Sequence, residues 1–157
     1  MNPEVSITRI AARVGNGELG ALVAEADVVL DCCDNFETRH AVNRACTMHL
    51  KPLVSGAAVR FDGQVAVFDL SDPASPCYHC LFGEGDELEE TRCATMGVFA
   101  PLVGIVGATQ AAEALKLIAG AGTSLAGRLL VLDALAMHWR ELAVPRDPEC
   151  PVCRERG

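Results

Sequence analysis

Two Cys-x-x-Cys pairs, Cys77/Cys80 and Cys150/Cys153, constrain this chain more than any other feature. The short turn inside each pair brings two sulfurs together. Two such pairs complete a tetrahedral four-thiolate set with no open position, which is the ligand chemistry of structural Zn²⁺. Sixty-nine residues, 81 to 149, separate the pairs. That is far longer than a self-contained zinc ribbon, so a shared metal would tie the tail to the body of the fold. Two unrelated pairs of reduced thiols, or a redox pair, would look the same locally. His79, inside the first pair, is expected to be exposed rather than a ligand, since four thiolates suffice. The preference for metal over disulfides follows from compartment. Met1-Asn2-Pro3-Glu4 lacks the basic and apolar pattern of a secretory signal, so a cytoplasmic location, where thiols stay reduced, is expected.

The length of 157 residues suggests one domain, and with half of them hydrophobic a sizeable core is available. The formal net charge of −8 argues against a nucleic-acid partner, because phosphate binding needs a basic surface. A membrane span is not expected. The longest apolar stretch, Val98 to Ala112, is interrupted by Pro101, Gly104, Gly107 and Gln110 and falls short of a bilayer's thickness.

Hydrophobic periodicity predicts an α/β chain. Val5 and Ile7 read as a short strand, Gly15-Asn16-Gly17 as a turn, and Glu18 to Ala26 as a helix. Asp27 to Cys33 is a nearly continuous apolar run, the pattern of a strand buried on both faces of a parallel sheet. Asp34 or Asn35 would cap a helix from Glu37 to Leu50. Pro52 to Gly56 starts the next strand, which completes a βαβ unit. Asp62-Gly63 among alternating apolar residues signals a hairpin. Gly83 to Arg92 is acidic and reads as an exposed, mobile loop. Pro101 to Ile118 is a small-residue helix stopped by Gly120 and Gly122. Arg128 to Asp133 is a strand, and Met137 to Val144 is its partner, with Trp139 and Leu142 packing inward.

Two further constellations carry possible chemistry. Asp34-Asn35-Phe36-Glu37-Thr38-Arg39 lies at the carboxyl end of a strand, the edge where open α/β sheets bind ligands. Asp34 could hold Mg²⁺, and Arg39, one turn into the helix, could reach a phosphate. The other reading is an N-cap plus a surface arginine, and spacing alone favours it. Cys93 has Arg92 beside it and a helix start nearby, both of which favour thiolate; a small buried hydrophobe would fit equally well. Cys32, Cys33 and Cys46 are read as core.

Several segments together resemble the ThiF/MoeB/HesA family. They are Asp31-Cys32-Cys33-Asp34-Asn35-Phe36-Glu37-Thr38-Arg39, Lys51-Pro52-Leu53-Val54-Ser55-Gly56-Ala57-Ala58-Val59-Arg60, Gly63-Gln64-Val65, Pro76-Cys77-Tyr78-His79-Cys80 and Cys150-Pro151-Val152-Cys153. The resemblance implies a Rossmann-like, ThiF-type nucleotide-binding fold, N-terminally truncated, with antiparallel hairpins and a four-cysteine zinc site. It implies an ATP-dependent adenylyltransferase of the ubiquitin-like-modifier-activating type. Such an enzyme activates the C-terminal glycine of a sulfur-carrier protein (ThiS/MoaD type) with ATP and Mg²⁺, for thiamine or molybdopterin biosynthesis, typically as a homodimer. By position, Asp34 corresponds to the aspartate serving Mg²⁺–ATP, and Asn35 and Arg39 belong to the same motif, with Arg39 supporting it by charge. Cys77, Cys80, Cys150 and Cys153 correspond to the zinc ligands. Cys93 corresponds to a mobile-loop cysteine that in some relatives becomes bonded to the carrier through sulfur.

The family's Gly-x-Gly-Gly-x-Gly turn, its acidic ribose ligand and its triphosphate-binding arginines and lysine are not among these 157 residues. The expectation is therefore a single domain, 1–157, that is the C-terminal part of such an enzyme without the glycine-rich half. It would be inactive alone and leave the Asp27–Cys33 strand with an open edge. The alternative is a non-catalytic zinc-stabilised module that binds a ubiquitin-like carrier or a partner subunit. The third reading is a decayed fragment that folds poorly alone.

Overall fold

The computed structural model describes residues 2–84 and 96–156. Helix α1 (Asn16–Glu25) leads into strand β1 (Val29–Asp31), helix α2 (Phe36–His49) and strand β2 (Leu53–Val59). Strand β3 (Asp62–Phe68), the short helix α3 (Tyr78–Leu81), helix α4 (Ala100–Ala119) and strands β4 (Arg128–Asp133) and β5 (His138–Ala143) follow. The strands form one five-stranded sheet in the order β1-β2-β3-β4-β5. β1 and β2 are parallel, as a βαβ unit requires, and the remaining neighbours are antiparallel.

Alternation along the strands divides the apolar side chains between two cores. Leu53, Ala66, Phe68 and Leu129 pack with α1, α2 and the paired cysteines. Val54, Val65, Val67 and Leu132 pack under Leu102 and Val106 of α4. The result is three layers, with helices on both faces of the sheet.

Several expectations need correction. Val5 and Ile7 belong to no strand and lie exposed, since no strand among the described residues pairs with them. Residues 15–17 open α1 rather than forming a separate turn. The run Asp27 to Cys33 yields only the three-residue β1. Leu30 there is paired with Val54 at the sheet's open edge and stays 40% exposed, so β1 is not buried on both faces. The hairpin exists, but its turn is Arg60-Phe61, with Val59 opposite Asp62 and Arg60 in the left-handed region at φ 50°. Gly63 sits inside β3 for a packing reason: a Cβ there would lie 2.7 Å from Leu102 Cδ1.

Strand β5 forms as expected, but no described element covers it. Trp139 and Leu142 remain 37% and 52% exposed instead of packing inward. Helix α4, at 20 residues with a mean hydropathy of 1.4, is long and apolar enough by length and composition to cross a membrane, which the sequence did not suggest. Its buried face nevertheless carries Gln110 and Glu113 against the fold, and Glu113 accepts a hydrogen bond from the Leu125 amide at 2.8 Å.

Candidate functional site

The four paired cysteines meet. Their sulfurs all lie within 4.8 Å of one another, with 3.7 Å between Cys77 and Cys150, 3.9 Å between Cys77 and Cys80, and 3.5 Å between Cys80 and Cys153. These separations are far too long for disulfides. They match the edges of a tetrahedron of sulfurs about 2.3 Å from a central ion, which are about 3.8 Å. The chemistry of the donor set agrees. The hydrogen bond between the Cys77 and Cys80 sulfurs lowers Cys80 and pushes Cys77 up, while burial raises Cys153. Sulfurs this close divide their protons unevenly because a second negative charge beside the first is costly, and a bound cation removes that cost. The residues therefore fit a metal ion.

Two arginines hold the tail in place. Arg146 donates to the carbonyls of Pro73, Cys153 and Arg156 at 2.8, 2.7 and 3.0 Å. Arg156 donates to the carbonyls of Asp72 and Ser75. The loop before Cys77 is thereby tied to the tail turn carrying Cys150 and Cys153. Neither arginine stands out in the sequence, because their partners are backbone carbonyls.

Beside the centre, at the carboxyl ends of β1 and β2, lies a crevice of about 460 Å³. Asp34, Asn35, Arg39, Gly56, Tyr78 and Gln110 are among its walls. Asn35 is the cap of α2, its Oδ1 accepting from the Thr38 amide at 2.9 Å. Asp34 is left exposed at the lip, touched by Asn35 Nδ2 at 3.4 Å.

Arg39 is not on the surface. It is 6% exposed and faces Asp31, which is 2% exposed. Nη1 donates to Asp31 Oδ2 at 2.9 Å and to Ser55 Oγ at 3.1 Å, while Nη2 donates to the carbonyls of Gly56, at 2.9 Å, and Cys33. Ser55 also donates to Asp31, at 3.2 Å, and the Cys33 amide caps its other oxygen at 2.9 Å. Arg39 thus braces the crevice floor by joining β1, α2 and β2.

Gln110 braces it from the other side. Its Nε2 donates to the carbonyls of Asp31 and Val54 at 2.9 and 3.2 Å. It passes over Gly56, where a Cβ would lie 2.3 Å from its amide. The sequence offered one signal for this: the single amide side chain of a largely apolar helix.

Among the remaining cysteines, Cys46 is core as expected. Cys32 is exposed at the crevice and Cys33 half-buried, because β1 ends before them. Burial, then the hydrogen bond with Asp31, pushes the Cys33 thiol up to about 12. Cys93 and most of the acidic segment lie outside the described residues. A larger hollow of about 730 Å³, between the C-terminal end of α2 and the tail, contains none of the candidate residues.

This architecture, a mixed α/β sheet of Rossmann-like type, recurs in solved structures. The structure of E. coli MccB with ATP superposes with a TM-score of 0.77 over 98% of this chain and 48% of that one, at 22% identity. The chain belongs to the ThiF family, whose sequence profile matches residues 1–152. Molybdopterin-synthase adenylyltransferase of Escherichia coli (strain K12) is 44% identical over 156 residues, covering 98% of this chain and 61% of the relative. Sulfur carrier protein ThiS adenylyltransferase of the same organism is 43% identical, covering 98% and 60%. The SAMP-activating enzyme E1 of Haloferax volcanii is 43% identical, covering 100% and 57%. The chain therefore spans about three-fifths of the length of these curated relatives.

Proposed function

We propose that this chain forms the part of an ATP-dependent adenylyltransferase that holds Mg²⁺–ATP from the Asp34 side. The enzyme would activate the C-terminal glycine of a ubiquitin-like sulfur carrier for thiamine or molybdopterin biosynthesis. The observation that carries this reading is the crevice: Asp34 stands exposed on its lip, directly before the N-terminus of α2. A helix N-terminus favours phosphate, and an exposed carboxylate beside it suits Mg²⁺ on that phosphate.

In this reading Asp34 is the metal-facing group and Asn35 orders the helix end. Arg39 positions the loop through Asp31 and the Cys33 carbonyl rather than touching phosphate. Cys93 is the thiol offered to the carrier's C-terminus. Zn²⁺ in the four-cysteine centre is structural, and the assembled enzyme is a cytoplasmic homodimer. Adenylation develops charge on the phosphates and depends on groups positioned to meet it. Since Arg39 is already committed, the chain alone is expected to be inactive.

Carrier-dependent ATP–pyrophosphate exchange tests this. The isolated 157-residue chain should show none. A longer form that includes a Gly-x-Gly-Gly-x-Gly segment should show exchange that Asp34→Asn abolishes. Robust exchange by the isolated chain, or an Asp34→Asn variant of full activity, would overturn the reading. The commitment of Arg39 also favours a second reading, a zinc-stabilised module that binds the carrier without catalysis. Carrier binding by a longer form that never exchanges pyrophosphate would decide for it.

A further inference from the structure

Asn43 is a completely buried primary amide inside α2. Burying such a group is costly unless its donors and acceptor are used. Oδ1 accepts from the Tyr78 backbone amide at 2.9 Å, which fixes the orientation of the side chain. Nδ2 therefore faces Cys77 Sγ, 3.6 Å away, as an N–H···S donor. A similar contact exists on the other cysteine pair. His79 Nε2 accepts from the Glu84 amide at 3.4 Å, so Nδ1 carries the proton and faces Cys150 Sγ at 3.6 Å. One sulfur of each pair thus receives a side-chain donor.

Four thiolates around a divalent cation leave a net charge of −2. Among the described residues, no lysine or arginine hydrogen-bonds to a cysteine sulfur of the centre. The excess negative charge must be met by neutral N–H groups, and Asn43 is the most deeply buried side chain that supplies one.

We propose that Asn43 is a positioning residue of the metal centre. Its amide withdraws charge from the Cys77 sulfur and holds that ligand at the angle the ion requires, as partners behind a ligand do in other metal sites. The same amide anchors the Tyr78 backbone, and Tyr78 walls the crevice, so one side chain joins the centre to the ligand site. The proposal rests on the Zn²⁺ reading of the four cysteines.

The variant Asn43→Asp keeps an oxygen for the Tyr78 amide and removes the donor to sulfur. It is expected to lose about 10- to 100-fold in Zn²⁺ affinity, read by chelator competition. In the Co²⁺-substituted protein its sulfur-to-cobalt charge-transfer band should move to lower energy. His79→Ala should shift the band in the same direction by less. If Asn43→Asp does not fold, ¹¹³Cd-substituted wild type carries the test: scalar coupling between ¹¹³Cd and the Asn43 side-chain amide protons is expected, and its absence overturns the proposal. Wild-type protein that retains no metal would overturn the Zn²⁺ reading and this inference together. Metal-loaded wild type and Asn43→Asp with equal affinity and identical cobalt spectra would overturn this inference alone.

Discussion

The four-sulfur centre and the crevice share Tyr78, yet they are built on opposite plans. At the centre every ligand comes from this chain, three of the four cysteines are fully buried, and Arg146 and Arg156 lock the tail against the loop that leads to Cys77. At the crevice the strongest charges are turned inward, Arg39 to Asp31, and the group facing outward is Asp34. The first region is closed upon itself and could hold an ion. The second is a rigid floor with an open lip and needs a ligand with groups of its own. The difference shows that a charge beside a crevice is not by that fact a ligand-binding charge; its hydrogen-bond partners decide.

The largest test of this contrast is removal of the centre. The double variant Cys150→Ser with Cys153→Ser should lose the metal and free the tail, at a cost of about 4 kcal/mol, seen as a fall of about 10 °C in melting temperature. Unchanged melting would mean that the tail is held by its arginines rather than by the ion.

Arg39→Met comes next. It strands the Asp31 carboxylate in the protein interior, where breaking a buried pair costs about 3–5 kcal/mol, measurable as a lower urea midpoint. A variant of normal stability that had lost only nucleotide binding would place Arg39 on the ligand side of the comparison.

Gly56→Ala should cost about 1–3 kcal/mol, because its Cβ collides with the Gln110 amide. Adding Gln110→Ala should recover part of that loss, which a double-mutant cycle would reveal.

The smallest effect concerns two thiols beside the crevice and in the core. Cys33 and Cys46 are pushed up to about 12 from an ordinary 9.0, in both cases first by burial. The unfolded chain releases these protons from about pH 9, while the folded chain keeps them until about 12. Stability should therefore be insensitive to these thiols below about pH 9 and decline as pH rises from about 9 toward 12. Urea midpoints at about pH 8 and pH 10 would show it. Iodoacetamide at about pH 8 should label the exposed Cys32 before Cys33; the reverse order would contradict the burial described for that edge.

The sequence was informative wherever a feature is local. The cysteine spacing announced the centre, Asp34-Asn35 announced a helix start, and Gly120 with Gly122 a helix stop, because caps and Cys-x-x-Cys turns are decided within a few residues. It misled where the deciding neighbour is remote. The reading of β5 had both Trp139 and Leu142 packing inward, but residues three apart on a strand point to opposite faces, and no described element lies over that strand. The apolar run through Cys32 and Cys33 promised a long buried strand, but pairing ends at Asp31. Asp62-Gly63 marked the hairpin and missed its turn, since the glycine answers to Leu102 on α4 rather than to the backbone.

The cysteine pairs show where the division falls. Residue type and spacing alone determined that two sulfur pairs exist and that a tetrahedral ion would suit them, because thiolate chemistry and a two-residue turn need no further context. Only the tertiary structure decided that the pairs face one another across 69 intervening residues. Only it could decide that Arg39 is committed to Asp31, and that an asparagine in the middle of α2 reaches a sulfur. Such contacts depend on where the sheet and helices place distant segments, and that is fixed by the packing of both cores together.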